Sequence, residues 1–162
     1  MSQPIRIGQV LIEQGVLNEQ QVFEIVHAQK SQARPFGALA EEMFDVTADA
    51  IETAWIEQYH RFTGTIDLDN CAIDEDVLRL INRRQAWQFE VLPIGYEPTG
   101  ELLIAASQRR LARAVTFATH KLDQPAFFRI AESQQLRAFL TRYYPMPEVT
   151  HELIRRARDF AA

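Results

Sequence analysis

The fold of this chain is decided by residues 6–29, which read RIGQVLIEQGVLNEQQVFEIVHAQ. Apolar residues recur at helical spacing in two runs, first at Ile7, Val10 and Leu11, and then at Val22, Ile25, Val26 and Gln29. Gly15 is placed to end the first helix. Asn18 can cap the second, with Gln21 three residues later able to complete the cap. The segment therefore predicts a helix, a tight turn and a second helix.

The same pattern returns 29 residues later. At that offset the chain aligns with itself at these pairs: Ile7 with Phe36, Gly8 with Gly37, Val10 with Leu39, Leu17 with Val46, Asn18 with Thr47, Val22 with Ile51, Val26 with Trp55, and Gln29 with Gln58. Such self-similarity indicates a duplicated unit. Because one helical hairpin cannot bury its own apolar face, we expect the two hairpins to pack as a four-helix unit ending near residues 59–63.

The rest of the chain predicts a small α/β sandwich. Its predicted elements are a strand at 65–68, a helix at 74–87, a hairpin of 89–95 and 102–106, a helix at 109–121, a strand at 126–130 and a helix at 133–143. This order, βαββαβα, places helices on a sheet. The predicted fold class is α+β, divided into tandem hairpins of four short helices (1–63), an α/β unit (64–144) and a proline-bounded C-terminal helix (145–162), with the last helix at 149–160.

Composition limits the function. The net charge of −5 disfavours DNA or RNA as a partner, since nucleic acid needs a basic face. The charge is uneven: residues 41–76 hold eleven acidic residues and only Arg61, so this segment is a solvated face or a docking surface for a basic partner. One cysteine and no apolar run of membrane-spanning length predict a cytoplasmic protein without direct membrane insertion.

No catalytic or metal site is predicted. The phosphate-binding pattern G-x-x-x-x-G-K-[ST] is absent, so the chain is not expected to hydrolyse ATP. The four histidines lack metal-ligand spacing, and no serine or cysteine stands in a nucleophile elbow. The sequence therefore predicts a protein that is not an enzyme and needs no cofactor.

The spacing of the first repeat resembles a known family. The positions that carry the resemblance are Arg6, Gly8, Leu11 and Gly15, then Val22, Val26 and Gln29. They are similar to the tandem 24-residue motif of the MshEN family, also described as the N-terminal domain of type II secretion and type IV pilus assembly ATPases. The five-residue spacer 30–34 and a second unit starting at Pro35 keep the family's register, and 66–144 is similar to the α/β portion that follows.

The resemblance implies that each repeat holds one half of cyclic di-GMP. A guanidinium pairs with phosphate or with the acceptor edge of guanine, and a glycine lets a ligand approach the main chain. The implied contact residues are Arg6, Ile7, Gly8, Leu11, Gly15, Val22, Val26, Gln29, Arg34, Phe36, Gly37 and Gln58. The alternative for the same positions is structural, with glycines serving packing and turns. The two glutamines, at equivalent positions, predict a shared hydrogen bond to a backbone group or to a ligand.

The second repeat departs from the motif. Pro35 stands at the arginine position, Ala40 at the leucine and Phe44 at the second glycine. Proline has neither charge nor N–H, so Arg34, one residue earlier, is the candidate to replace the lost contact. Phe44 is expected to hold the turn at negative φ.

Two functions are consistent with these observations. The first is a regulatory or adaptor module that binds cyclic di-GMP. The alternative is a protein–protein interaction domain of a secretion or pilus system with a degenerate nucleotide site. By resemblance, the partner is a motor ATPase or the cytoplasmic domain of an inner-membrane platform protein, which would hold the chain peripherally at the inner membrane.

Overall fold

A computed structural model describes residues 5–146 and 151–161. Its helices are α1 (Ile7–Glu13), α2 (Glu19–Gln29), α3 (Phe36–Phe44), α4 (Ala48–Thr63), α5 (Arg83–Phe89), α6 (Leu111–Lys121), α7 (Ser133–Tyr143) and α8 (His151–Ala161). Its strands are β1 (Thr65–Ile66), β2 (Val91–Tyr96), β3 (Leu102–Ser107) and β4 (Ala126–Ala131). This is the predicted α+β architecture: tandem helical hairpins, a small mixed sheet with helices, and a C-terminal helix.

The caps predicted from sequence define the hairpins. Asn18 Oδ1 accepts from the Gln21 N–H at 2.8 Å, and Gln21 Oε1 accepts from the Asn18 N–H at 2.9 Å. At the equivalent position of the second repeat, Thr47 Oγ1 accepts from the Ala50 N–H. Gly15 follows α1 at φ +73°, a conformation in which a side chain is strained. Short-range signals therefore fix where these helices begin and end.

Equivalent positions of the two repeats are buried alike. The buried pairs are Val10 and Leu39, Leu11 and Ala40, Leu17 and Val46, and Ile25 and Ala54. They form one hydrophobic cluster, in which α1 packs mainly on α4 and α2 mainly on α3. Each helix pair therefore contains one helix from each repeat, and neither repeat completes the cluster alone.

The turn after α3 differs from the first repeat. Phe44 remains helical as the last residue of α3, and Asp45 takes the left-handed conformation at φ +52°. The left-handed position thus lies one residue later than its equivalent, Gly15. Because aspartate tolerates this conformation better than most side chains, the chain makes the turn without a glycine.

The α/β unit is a four-stranded sheet in the order β1-β4-β3-β2. β4 runs parallel to both neighbours, while β2 and β3 form the predicted antiparallel hairpin. The predicted helix at 74–87 is wrong in part, since a 3₁₀ turn at Glu75–Leu80 precedes α5. Asn82 is extended and caps α5 in a capping box with Gln85, so a helix cannot run through it. Likewise, the helix predicted from 109 begins at Leu111, after a 3₁₀ turn.

Helix α4 contacts both hydrophobic clusters. Its first half contributes Ala54 to the cluster of the hairpins, while Ile56 and Tyr59 pack against the core of the sheet. Tyr59 Oη donates to the carbonyl of Phe128 in β4. The division of the chain after residue 63 stays a prediction. Of the predicted helix 149–160, residues 149 and 150 lie outside the described residues.

Candidate ligand-binding grooves

Both repeats contribute to a groove of 510 Å³ over α1, which we call the Arg6 groove. It is lined by Ile5, Arg6, Ile7, Gly8, Gln9, Ile12, Val22, Val26, Gln29, Phe36 and Gln58. Eight of the twelve contact residues implied by the sequence resemblance lie here. The duplication therefore brings its two copies together on one surface.

A duplicated hydrogen bond holds the edges of this groove. Gln58 Nε2 donates to the carbonyl of Ile5 at 3.0 Å, and Gln29 Nε2 donates to the carbonyl of Arg34 at 3.1 Å. Donors and acceptors are both related by the 29-residue offset. Each glutamine thus fixes the entry to the first helix of the other repeat. The shared hydrogen-bonding role predicted for these residues has a backbone acceptor in both copies.

Gly8 and Gly37 allow equivalent close contacts. A Cβ atom on Gly8 would lie 2.9 Å from Val22 Cγ1, and one on Gly37 would lie 2.9 Å from Ile51 Cγ2. Real Cβ atoms do not approach carbon so closely. Both glycines therefore have a packing role, which the sequence left open beside a ligand role.

The two candidate arginines have different environments. Arg6 is exposed at the start of α1, lines the groove, and has no ion-pair partner among residues 5–146 and 151–161. Arg34 is also exposed but pairs with Glu42, and it does not line the groove. Arg6 is thus the cation that is free to meet an anionic ligand in this groove.

Three of the implied residues lie away from the grooves. Leu11 is fully buried in the hairpin cluster, Gly15 lies in the turn after α1, and Arg34 is held by Glu42. Gly37 lies in a second groove, described next. The sequence did not single out Gln9 or Ile12, although both stand on the Gly8 side of α1. Gln9 lies three residues after Arg6, and Ile12 lies four residues after Gly8. This helical spacing could have identified both as neighbours of the predicted contact residues.

The second groove, the Trp55 groove, measures 540 Å³ and lies between α3 and α4. It is lined by Ile7, Pro35, Phe36, Gly37, Ala38, Glu41, Ala48, Ile51, Glu52 and Trp55. The 29-residue offset relates most of these to the Arg6 groove, with Pro35 replacing Arg6, Glu41 replacing Ile12 and Trp55 replacing Val26. The two grooves therefore occupy equivalent positions in the two repeats and share Ile7 and Phe36, but they differ in charge.

Among the described residues, two carboxylates and no cationic side chain line the Trp55 groove. Glu41 stands on α3 and Glu52 on α4, and neither has an ion-pair partner in the described part of the chain. The indole of Trp55 is 42% exposed and stacks on Tyr59 with ring centroids 5.7 Å apart. This surface favours a ligand that has a positive charge and apolar groups over a phosphate.

A separate charged cluster lies in the α/β unit around the buried carboxylate of Glu90. Ser107 Oγ donates to it at 2.7 Å, and guanidinium nitrogens of Arg109 and Arg137 each lie 3.3 Å away. Burial raises the pKa of Glu90, but the hydrogen bonds from Ser107 and Arg137 and the positive charges of Arg109 and Arg110 outweigh it, so the pKa lies below its ordinary value. The cluster ties α5, β3 and α7 together.

Within the described residues, no group of His, Cys, Asp and Glu side chains has the arrangement of a metal site. No helix there is long and apolar enough to pass through a bilayer.

Comparison with known proteins identifies the family. A model of the MshEN domain matches residues 59–150. Among solved structures, MshE with cdg (cyclic di-GMP) is 26% identical, with 86% of this chain and 99% of that chain covered and a TM-score of 0.49. Two crystal forms of the N-terminal domain of XpsE are 17% and 16% identical, with 89% of this chain and 99% and 100% of those chains covered, at TM-scores of 0.41 and 0.46. A search of curated proteins gave no match.

The matched residues run from the end of α4 through the α/β unit. They cover more than half of the chain, and they start after the repeat in which the motif was recognised. The family predicted from the motif of the first repeat and from the similarity of residues 66–144 is therefore confirmed. The chain belongs to the MshEN domain family.

Proposed function

We propose that this chain is a non-enzymatic regulatory or adaptor module of a type II secretion or type IV pilus assembly system, and that its Arg6 groove binds one guanylate half of cyclic di-GMP. The observation that supports this most is the guanidinium of Arg6, which lines an apolar groove built from both repeats and has no ion-pair partner among the residues that the structure describes. We also propose that the chain acts in the cytoplasm, held at the inner membrane by a protein partner.

The groove offers the two kinds of contact that a guanylate needs. Arg6 can pair with a phosphate or with the acceptor edge of guanine through two parallel hydrogen bonds. Ile7, Val22, Val26 and Phe36 supply apolar surface for the face of a base. In this proposal Leu11 and Gly15 act by shaping the first hairpin rather than by touching the ligand.

A second candidate function is a protein–protein interaction domain whose nucleotide site is degenerate. The charge of the Trp55 groove favours it. This groove is the equivalent, in the second repeat, of the Arg6 groove, and its described lining contains two carboxylates and no cation to pair with the second half of the dinucleotide. The two phosphates of cyclic di-GMP are negatively charged, so they would be repelled by the carboxylates of Glu41 and Glu52 in this groove. The partner would be a motor ATPase or the cytoplasmic domain of an inner-membrane platform protein.

Isothermal titration of the purified chain with cyclic di-GMP separates the two candidates. We expect Arg6→Ala to weaken binding by about tenfold or more, the loss typical of one charge-assisted hydrogen-bonding group. Arg79→Ala is the matched control, since it removes the same charge from an exposed arginine of the α/β unit. We also expect 5′-GMP to compete for the groove, because only one guanylate half is held.

Absence of binding by the unmodified chain would favour the interaction domain. Binding that is equally strong in Arg6→Ala would remove the Arg6 groove as the site. For the interaction function, the purified chain should capture a motor ATPase or a platform protein from cytoplasmic and membrane fractions. Recovery of nothing above background would count against an adaptor role.

A further inference from the structure

Helix α8 is amphipathic and carries three arginines and two acidic residues. The side chains of residues 152–161 are all exposed, with Phe160 at 98% and Ile154 at 41%. Arg155 and Arg156 pair with Glu152 within the helix, while Arg158 has no ion-pair partner among the described residues. A helix that displays an aromatic ring and an unpaired arginine to solvent has the composition of a docking segment.

The helical period determines which side chains of α8 share a face. At about 100° per residue, Leu153, Ile154, Ala157 and Phe160 fall on one face of α8. Arg158 borders this face beside Ile154, and Arg156 borders it on the opposite side beside Phe160. Arg155 lies on the far side of the helix. The result is an apolar stripe with one arginine along each edge.

The Trp55 groove has the complementary arrangement. Its lining includes the half-buried Ile51 and Phe36, and its walls include α3 and α4, which carry the exposed Glu41 and Glu52. The apolar stripe of α8, with its two arginines, therefore matches a groove lined by apolar side chains and two carboxylates. Glu52 also borders a neighbouring cavity with Arg113 and Lys121, but neither cation lies within ion-pair distance of it.

We infer that the Trp55 groove binds α8 of a second copy of this chain. Phe160 and Ile154 enter the groove, and Arg156 and Arg158 pair with the carboxylates on its walls. Trp55, exposed at the groove, offers a face to an arginine or to the Phe160 ring. Reciprocal exchange of α8 gives a two-fold dimer with two identical contacts. The inference concerns the groove that lacks Arg6, so it stands apart from nucleotide binding.

The test is the mass of the full chain in solution over a range of concentrations, by light scattering or sedimentation equilibrium. We expect a concentration-dependent dimer, and we expect Phe160→Ala and Glu52→Arg each to weaken it by about tenfold or more, as removal of an interface anchor does. Arg158→Glu combined with Glu52→Arg should recover part of the lost affinity. Matched controls are Phe62→Ala, which removes another exposed ring, and Arg155→Glu, on the far side of α8.

Circular dichroism and thermal unfolding verify that each variant folds, since all the changes are at exposed positions. A chain that is monomeric at every concentration overturns the inference. So does a dimer that Phe160→Ala and Glu52→Arg leave unchanged, or one weakened equally by the two controls. Binding of the monomer to anionic phospholipid vesicles, lost in Phe160→Ala, would assign α8 to a membrane surface and would also overturn it.

Discussion

Replacing Gly8 by alanine sets two effects of opposite sign against each other. The added methyl group would lie 2.9 Å from Val22 Cγ1 and 3.3 Å from Phe36 Cζ, so it is confined from both sides. Valine is stiff at χ1 in a helix, and overpacking of this kind costs about 1–3 kcal/mol. Alanine favours a helix over glycine by at most about 1 kcal/mol. We therefore expect Gly8→Ala to lower the free energy of unfolding by about 1–2 kcal/mol.

Urea unfolding followed by circular dichroism measures this loss, and a melting curve should show a decrease of about 2–4 °C per kcal/mol. Gly37→Ala is the matched control from the other repeat. Its methyl group meets only Ile51 at 2.9 Å, with the next contacts at 3.8 Å or beyond, so it should cost less. In a Val22→Ala background the cost of Gly8→Ala should also shrink, because the colliding atom is gone.

Two results would contradict a packing role for Gly8: a Gly8→Ala variant as stable as the unmodified chain, or a cost that is the same with and without the Val22 side chain. Either result would mean that the close contact is relieved by a small shift of the helix. Gly8 would then have no packing role, and exposure of the backbone to a ligand would be the remaining reason for a glycine at this position.

Two further predictions concern the glutamine pair and the buried carboxylate. Gln58→Ala should lower the free energy of unfolding by about 0.5–1.5 kcal/mol, since it leaves the carbonyl of Ile5 without its partner, and Gln29→Ala should cost less because its hydrogen bond is exposed. Urea unfolding of both variants measures this, and a larger cost for Gln29→Ala would contradict it. Glu90→Gln should cost about 1.5–3 kcal/mol near neutral pH. Because the folded pKa of Glu90 is lowered, its contribution is present above the ordinary pKa of 4.5 and is lost as the pH falls through the folded value. Unfolding midpoints of the two proteins should therefore converge in acid, and a gap that stays constant with pH would contradict the assignment.

Local sequence determined most of the hairpin unit. The capping box at Asn18, the threonine cap at Thr47 and the turn glycine Gly15 are interactions between residues three or four positions apart, so the sequence displays them directly. The 29-residue offset also pairs Val10 with Leu39 and Leu17 with Val46, which are all buried because a duplicated fold repeats its core, but Val26 and Trp55, paired by the same offset, are 39% and 42% exposed. One local signal was missed: the capping box of Asn82 and Gln85 divides the predicted helix at 74–87.

Other features depended on contacts between residues distant in the sequence. Only the packed structure shows that Gln58 reaches the Ile5 carbonyl across 53 positions, or that Glu90 meets Ser107 and Arg137. The two grooves also depend on tertiary packing: side chains of both repeats line the Arg6 groove, and Ile7 of the first repeat joins α3 and α4 of the second in lining the Trp55 groove. The amino-acid sequence alone was enough to show that the hairpin is duplicated and that its second copy has Pro35 where the first has Arg6. Only the packed structure shows that the two repeats share one surface, because tertiary packing sets the distances between their side chains. Among the described residues, Arg6 in one groove has no ion-pair partner, and neither have Glu41 and Glu52 in the other.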